Sequence, residues 1–375
     1  MKNKVYIVGH SLSPQSAEII TVLATFPRII LSEINTHRML SKNTSSSRAI
    51  PFQKMLEAVQ NNPFIPFAWQ KYHPGMQGSE YLDETVKYDL ISFMTILNDT
   101  LSNTKDKKER DRLSKRIEEK TKIIKELLTP YTLLEKTLPE WWLFARDKAV
   151  EAASILYVFD VTKQLCNRLL EPFMWTTMLI TGSRDGWDNF FNLRCGNYNG
   201  FKSRKEASKE FLEKGNINTS TWSDMDWRKL NTGQAEIHMM MLSEKIYDEY
   251  QNSVPLQLKE NQWHIPMITD LERYKLSTND QIKLSVGRAA NTSYTVVGDG
   301  KELTSEQAIK IHNKCKELNH SSVFEHCARA MSDSEYFNFV KGNTTDAPNN
   351  SIYGWCNNLK GFIPYRYFID NNIEL

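Results

Sequence analysis

From Thr36 to Arg48 the chain reads THRMLSKNTSSSR, a run holding two arginines, a histidine, an asparagine and four serines. Those residue types hold anions. Arginine offers phosphate a rigid fork of donors, and hydroxyls and backbone N–H groups add to it. Pro51 closes the run before a new amphipathic segment. A solvated loop or a set of helix caps draws on the same residues, so chemistry alone leaves both readings open.

Further stretches carry chemistry. In VTKQLCNRLLEPFMWTTMLITGSRDGWDNFFNLR, from Val161, Arg168 can pair with Glu171 one helical turn on, and Arg194 ends an aromatic run. Cys195, beside that arginine, is either a nucleophile or a small buried side chain. Near the C-terminal end, LNHSSVFEHCARAM brings His320, Glu325 and His326 together, but offsets of five and six turn the side chains apart on a helix, so no metal site is expected.

The elements that position these residues follow from pattern. Lys4 to His10 reads as a strand, and SPQSAEIITVLATF as a helix started by Ser13 and Pro14. Leu90, Met94, Leu97 and Leu101, at spacings of four, three and four, predict one face of a helix. KDKKERDRLSKRIEEKTKIIKELL predicts a solvated helix laced with opposite charges. A Gly-, Lys-, Ser- and Asn-rich segment from Cys195 to about Asn231 contains the short helical run SRKEASKEFLEKG and suits a lid or an oligomer contact. In GQAEIHMMMLSEKIYDEY, Ala235, Met239, Leu242 and Ile246 form a core stripe. A capping box, Thr304 to Gln307, opens a helix with Ala308, Ile311, Cys315 and Leu318 on one face.

Composition bounds the class. The chain has 375 residues, 40% hydrophobic and 25% charged, as in soluble globular proteins with a sizeable core. A net charge of +2 argues against bulk nucleic-acid binding and for local recognition of a small phosphate ligand. Five widely spaced cysteines, Cys166, Cys195, Cys315, Cys327 and Cys356, with no CxxC pair, indicate a reducing compartment. The opening MKNKVYIVGHSL has too short an apolar run for a signal peptide, and no stretch is apolar enough to span a bilayer. A cytoplasmic enzyme is expected, with no nucleic-acid or membrane partner.

The pattern His37, Arg38, Ser41, Asn43, Ser46, Arg48 resembles the signature R-H-R-x-x-S-x-N-x-x-S-x-R of the flavin-dependent thymidylate synthases, the ThyX family. NRLLEP followed by NFFNLR resembles that family's nucleotide-contacting and catalytic arginines, matched by Arg168 and Arg194. Gln234, Glu236 and Ile237 match its A-Q-x-E-I helix, and HSSVFEH is similar to its G-H-x-[ST]-x-F-E-H. Phage-encoded members have similar NTHR and NRLLEPF segments, which for this chain implies a host cytoplasm. In the family the last segment precedes the arginine signature, so the resemblance implies a circular permutation, physically accessible where termini lie close together.

What the resemblance implies is an α/β (α+β) fold with a helix-rich periphery, formed as one catalytic domain over 1–375. Its family-like blocks are 27–50, 161–194 with 232–250, and 282–331, with insertions at about 80–130 and about 195–231. It implies a homotetramer with active sites between subunits, FAD as redox cofactor, NADPH as reductant and 5,10-methylenetetrahydrofolate as one-carbon donor. Arg194 would be catalytic, favouring a pyrimidine ionised at N3 so that carbon 5 takes the methylene. Glu33, Thr36, Ser46, Ser47, Arg48, Arg168 and Arg194 would bind the substrate, dUMP, with Ser46, Arg48 and Arg168 on its phosphate. His37, Arg38, Thr44, Ser183, Asn189, His320 and Ser322 would bind the cofactor.

The chain departs from the family at Thr36 (arginine there), Thr44 (glutamate), Ala49 (tyrosine), Glu33 (glutamine) and Thr232 (histidine). A carboxylate only accepts where an amide also donates, so Glu33 admits a cytosine nucleotide, dCMP, as an alternative substrate. A related C5 methylase or hydroxymethylase, a cysteine-dependent mechanism through Cys195, and a non-catalytic nucleotide-binding protein remain alternatives.

Overall fold

The computed structural model describes residues 2–72, 78, 80–126, 134–215, 217–292, 303–342 and 358–374. Residues 127–128 of the charged run, 293–302 of the third block, and Cys356 lie outside them. The chain divides into two compact units, Met1–Phe64 with Ala152–Leu375, and Ile65–Glu151, where one domain with an insertion at about 80–130 was expected.

The first unit begins with β1 (Lys4–Leu12) and β2 (Glu18–Pro27), an antiparallel hairpin. The segment expected to be a helix from Ser13 is therefore a turn and a strand. Ser13 accepts from Ala17 N through its hydroxyl, Ser16 has φ 59°, and the chain reverses there. β2 misleads as a sequence because both of its faces are buried, giving a continuous apolar run without alternation. The β-branched residues Ile19, Ile20, Thr21 and Val22 decide for the strand. α1 (Leu31–Asn35), β3 (Ser41–Thr44) and α2 (Phe52–Asn61) follow, the last starting after Pro51 and burying Phe52, Met55 and Val59.

The second unit contains the short pair β4 (Trp69–Gln70) and β5 (Tyr81–Leu82), then α3 (Leu90–Asn103), α4 (Lys107–Glu126) and the start of α5 (Leu138–Val158). Asp89 caps α3 by accepting from Ile91 N and Ser92 N at 2.8 Å each. The predicted face of Leu90, Met94, Leu97 and Leu101, joined by Phe93, is the half-buried side of α3. α4 is mostly solvated, with Glu109 and Arg112 paired at 3.5 Å.

The first unit resumes with α6 (Lys163–Leu170), β6 (Trp175–Ser183) and α7 (Arg184–Arg194). α8 (Arg204–Gly215) and α9 (Asp224–Leu230) belong to the 195–231 segment, which packs its own small core of Tyr198, Ala207 and Trp227. Next come α10 (Ile237–Gln251), β7 (Leu256–Gln257) and β8 (Trp263–His264). After these are α11 (Asp270–Lys275), α12 (Thr278–Thr292), α13 (Ser305–Glu317) and β9 (Ala328–Ala330). α14 (Asp333–Gly342), β10 (Phe362–Pro364) and α15 (Tyr365–Asp370) complete it. The class is mixed α+β, and no described helix is long and apolar enough to cross a membrane.

A five-stranded sheet, order β3-β6-β2-β1-β7, is antiparallel except for the β1–β7 pair, and a second antiparallel sheet has the order β10-β9-β8. β2 and β6 pair from Ile19↔Ser183 to Pro27↔Trp175. One sheet face, with Ile20, Val22, Met178 and Ile180, packs under Trp187 and Phe190 of α7 and the α10 stripe of Met239, Leu242 and Ile246. The C-terminal part builds another core from Ile282, Val286, Phe324, Ile363 and Phe368. Thr304 does form the capping box of α13, whereas Leu318 lies at the helix end and is exposed.

α12 and α13 come so close at Gly287 that a Cβ there would lie 2.1 Å from Ala308 O, a backbone atom that cannot swing away. Gly287→Ala should lower the unfolding free energy by about 1–3 kcal/mol, the usual cost of overpacking, in denaturant titrations. An unchanged midpoint would mean that the two helices do not pack this closely.

Candidate functional site

α7 sets the site. Residues three and four apart share a helix face, and Gly186, Phe190 and Arg194 line one. The segment from α1 to β3 runs back along that face. A Cβ on Gly186 would meet Met39 O at 3.2 Å, His37 packs edge-on against Phe190 with centroids 5.0 Å apart, and Arg194 reaches Thr36 and Glu33.

Arg194 Nε donates to His37 Nε2 at 2.8 Å and a terminal nitrogen donates to Thr36 Oγ1 at 3.2 Å. The Glu33 carboxylate lies 3.7 Å from the guanidinium. Residues more than 150 positions apart are thus joined by the arginine's own donors. Because a guanidinium cannot accept, His37 Nε2 must, and the ring is neutral with its proton on Nδ1. The electrostatics agree: burial, then the cations of Arg194 and Lys42, lowers the His37 pKa to about 4. Lys42 Nζ in turn donates to His37 O at 2.5 Å, and burial lowers its pKa while Glu325 raises it.

Glu33 is shifted the other way. Burial first, then the neighbouring Glu236 carboxylate, raises its pKa against the pull of Arg194. Glu236 caps α10, accepting from His238 N at 2.8 Å and Met239 N at 3.1 Å, with His238 Nδ1 at 2.5 Å. Family-like blocks that are remote in sequence therefore converge: Glu33, Thr36 and His37 from one, Arg194 from the next, and Glu236 from the helix after it.

A second cluster braces the Ser45–Ile50 turn. Arg28 donates to Ser45 O at 3.0 Å and to Glu171 Oε1 at 3.1 Å, Ser47 donates to Glu171, and Asn167 holds Ser47 O at 2.7 Å and Ile50 O at 3.0 Å. Glu171 thus serves Arg28 and Ser47 instead of Arg168, and the Ser47 hydroxyl is turned inward to it. Arg168, which follows Asn167, and Arg48, on the braced turn, are exposed, with Ser46 half-buried. Among the described residues, no hydrogen bond or ion pair links Arg48 or Arg168 to Arg194.

Of the residues expected at a cofactor, Arg38, Asn189, His320 and Ser322 are exposed, Thr44 is half-buried on β3, and Ser183 is buried at the start of α7. Cys195 is buried, and burial with the nearby Glu244 carboxylate pushes its thiol pKa well up. His320 is exposed, Glu325 accepts from Arg366 at 2.5 Å, and His326 is buried, so the three do not share a ligand. Among the described residues no group of three or more His, Cys, Asp or Glu is placed to hold a metal ion.

Sequence reasoning missed a buried polar chain. Ser11 Oγ meets His264 Nδ1 at 2.9 Å, His264 Nε2 meets Thr21 Oγ1 at 2.9 Å, Thr21 meets Thr181 at 2.7 Å, and Thr181 meets His326 Nδ1 at 2.8 Å. Gly9 makes room for it: a Cβ there would sit 2.8 Å from His264 Cε1. The signal lay in the threonines, since Thr21↔Thr181 and Thr25↔Thr177 are register partners, but it required reading β2 as a strand.

No family model matches the chain, and no curated protein sequence matches it. Among solved structures the chain is similar to two of a UMP/dUMP methylase, PolB, from Streptomyces cacaoi. One, bound with 5-Br UMP, is 11% identical with a TM-score of 0.33, covering 67% of this chain and 89% of that one. The other, bound with 5-Br dUMP, is 11% identical with a TM-score of 0.27, covering 63% and 66%. Likenesses at these TM-scores assign no role to any residue of this chain.

Two outcomes follow from the histidines. Burial lowers the pKa of His264 and of His326 to about 3, so below about pH 6.5 the unfolded chain binds protons that the folded one refuses. Stability is complete above that pH and falls as pH drops toward 3, measurable as a declining thermal midpoint; a midpoint flat across the window would contradict it. In Arg194→Ala the His37 pKa should rise, because a neighbouring cation is gone, and imidazole nitrogen NMR shifts would show it.

Proposed function

We propose that the chain is a flavin-dependent C5 methylase of pyrimidine deoxynucleotides, of the thymidylate synthase kind, converting dUMP to dTMP with a one-carbon unit from 5,10-methylenetetrahydrofolate. The observation that carries this reading is the clasp on Arg194: the signature run and the NFFNLR run, each singled out in sequence, meet through Thr36 and His37. The permuted motif order and the homotetramer belong to the same proposal.

The residues fit a diphosphate-bearing cofactor in kind, since Arg38, Asn189 and Ser322 present exposed donors. His37 can add only its Nδ1–H to that set, because Nε2 already accepts from Arg194. FAD held there, with NADPH as reductant, would supply hydride for reducing the transferred methylene to a methyl group. The chain's own part is to bind and polarise. Arg194, fixed in orientation by Thr36 and His37, favours the base with N3 ionised, which makes carbon 5 electron-rich. Ser46, Arg48 and Arg168 hold the phosphate.

The raised pKa of Glu33 bears on the base. Burial and the Glu236 carboxylate ease protonation of Glu33, and in its protonated form the carboxyl donates as well as accepts, presenting both faces of an amide to the carbonyl edge of uracil. In that form it favours dUMP over dCMP. The cysteine route loses support, because a thiol with an elevated pKa is a poor nucleophile at neutral pH.

Purified protein incubated with FAD and freed of excess should retain a flavin absorption spectrum. Arg194→Ala should keep that spectrum and lose about 100- to 1,000-fold in turnover, the loss seen for a preorganised charge-stabilising donor; an equally active variant would refute the assignment. Cys195→Ala should remain active. Glu33→Gln should retain dUMP turnover with a flatter pH profile, and preferential turnover of dCMP by the wild type would overturn the uracil reading. On the same proposal, with active sites between subunits of the homotetramer, mixing inactive Arg194→Ala with inactive Arg168→Ala subunits should restore activity at shared sites; no recovery on mixing would place both arginines in a site built by one subunit.

A further inference from the structure

A cavity of about 800 Å³ opens in the first unit where β8, the loop before it, α11, α12 and α15 meet. Its size is that of a small-molecule site. None of the residues placed around Arg194 lines it. Trp263 and Phe368 form an aromatic wall, their ring centroids 5.3 Å apart.

The two arginines of the lining are in different states. Arg329 is bound by Glu335 through both terminal nitrogens, at 2.6 and 3.2 Å, and bonded to Asn261, so its charge is answered. Arg273 is half-buried, donates to Ile265 O at 3.3 Å, and has no carboxylate within ion-pair distance among the described residues. The carboxylate in the lining, Glu374, is exposed and makes no ion pair with Arg273 among the described residues, so the half-buried guanidinium is left open to an anionic ligand. Gln281 on the floor is buried and fixed by donating to Arg273 O at 3.0 Å and Leu276 O at 2.9 Å, which rigidifies the α11–α12 corner.

We infer that this cavity binds a planar aromatic anion, its ring against Trp263 and Phe368 and its carboxylate or phosphate on Arg273. The pairing follows from the lining: an aromatic wall takes a flat ring, and arginine engages either anion through two parallel donors. The inference is independent of the chemistry proposed at Arg194.

Isothermal titration with AMP and with naphthoate tests it and separates phosphate from carboxylate. At least one probe should bind wild type, weaken about tenfold or more in Arg273→Gln, a loss of about 1.4 kcal/mol, and recover in part in Arg273→Lys. Its affinity should be unchanged in Arg194→Ala. A thermal midpoint shared by wild type and the Arg273 variants confirms folding, and Trp263→Leu should weaken the same probe. Binding of neither probe, equal binding by Arg273→Gln, or a loss confined to Arg194→Ala would overturn the inference.

Discussion

The bond from Arg194 Nε to His37 Nε2 exists in one protonation state of the histidine, and the candidate site depends on it. A protonated imidazole would set two donors and two positive charges against each other at hydrogen-bond distance. The surroundings enforce the neutral ring: burial first, then the cations of Arg194 and Lys42, all oppose a proton. The neutral ring then fixes the arginine, since one nitrogen is committed to His37 and another to Thr36. The remaining donor side of the fork faces Glu33, which at 3.7 Å balances charge without closing a tight pair. The result is an oriented cation that can still turn toward an anionic ring.

Beneath the site, β2 and β6 do two jobs with alternate residues. Ile20, Val22, Ala24 and Phe26 of β2 are apolar and carry α7 and α10, while Thr21 faces the other way into the histidine chain. Burying two imidazoles is costly unless their nitrogens find partners; Thr21 meets His264 Nε2, Ser11 meets His264 Nδ1 and Thr181 meets His326 Nδ1, while His326 Nε2 has no hydrogen-bond partner among the described residues. Apolar contacts alone tolerate a shift of register, whereas Ser11, Thr21 and Thr181 meet His264 and His326 in one alignment only. The chain thereby fixes how β8 and the turn before β9 sit on the large sheet, and so where the C-terminal block lies beside β3.

Much of this was legible in the sequence where pattern and chemistry coincide. The α10 stripe, the Thr304 capping box, the charged α4 and the closure at Pro51 are local, set by period or by one side chain. β2 was not legible, because a strand buried on both faces loses its alternation and reads like a helix. That one misreading hid the Thr21–Thr181 partnership. The roles of Glu171 and Ser47 were equally hidden, since Arg28, over 140 residues from Glu171, outcompetes the nearby Arg168. Local spacing proposes partners, and burial selects among them.

The departures from the family pattern make sense together. An arginine at position 36 would place a second guanidinium beside Arg194, where Thr36 instead offers a hydroxyl that accepts from it at 3.2 Å. With one cation fewer, an ionised carboxylate at position 33 is less well compensated than it would be beside two guanidiniums. That carboxyl sits near Glu236, and their repulsion together with burial drives Glu33 toward its protonated form. A protonated Glu33 is the hydrogen-bonding equivalent of the glutamine it replaces. The two departures thus act in one direction: a cation is missing at 36, and burial with the Glu236 carboxylate raises the Glu33 pKa, so a proton at 33, which would restore the donor a carboxylate lacks, is easier to place there than on a free carboxylate.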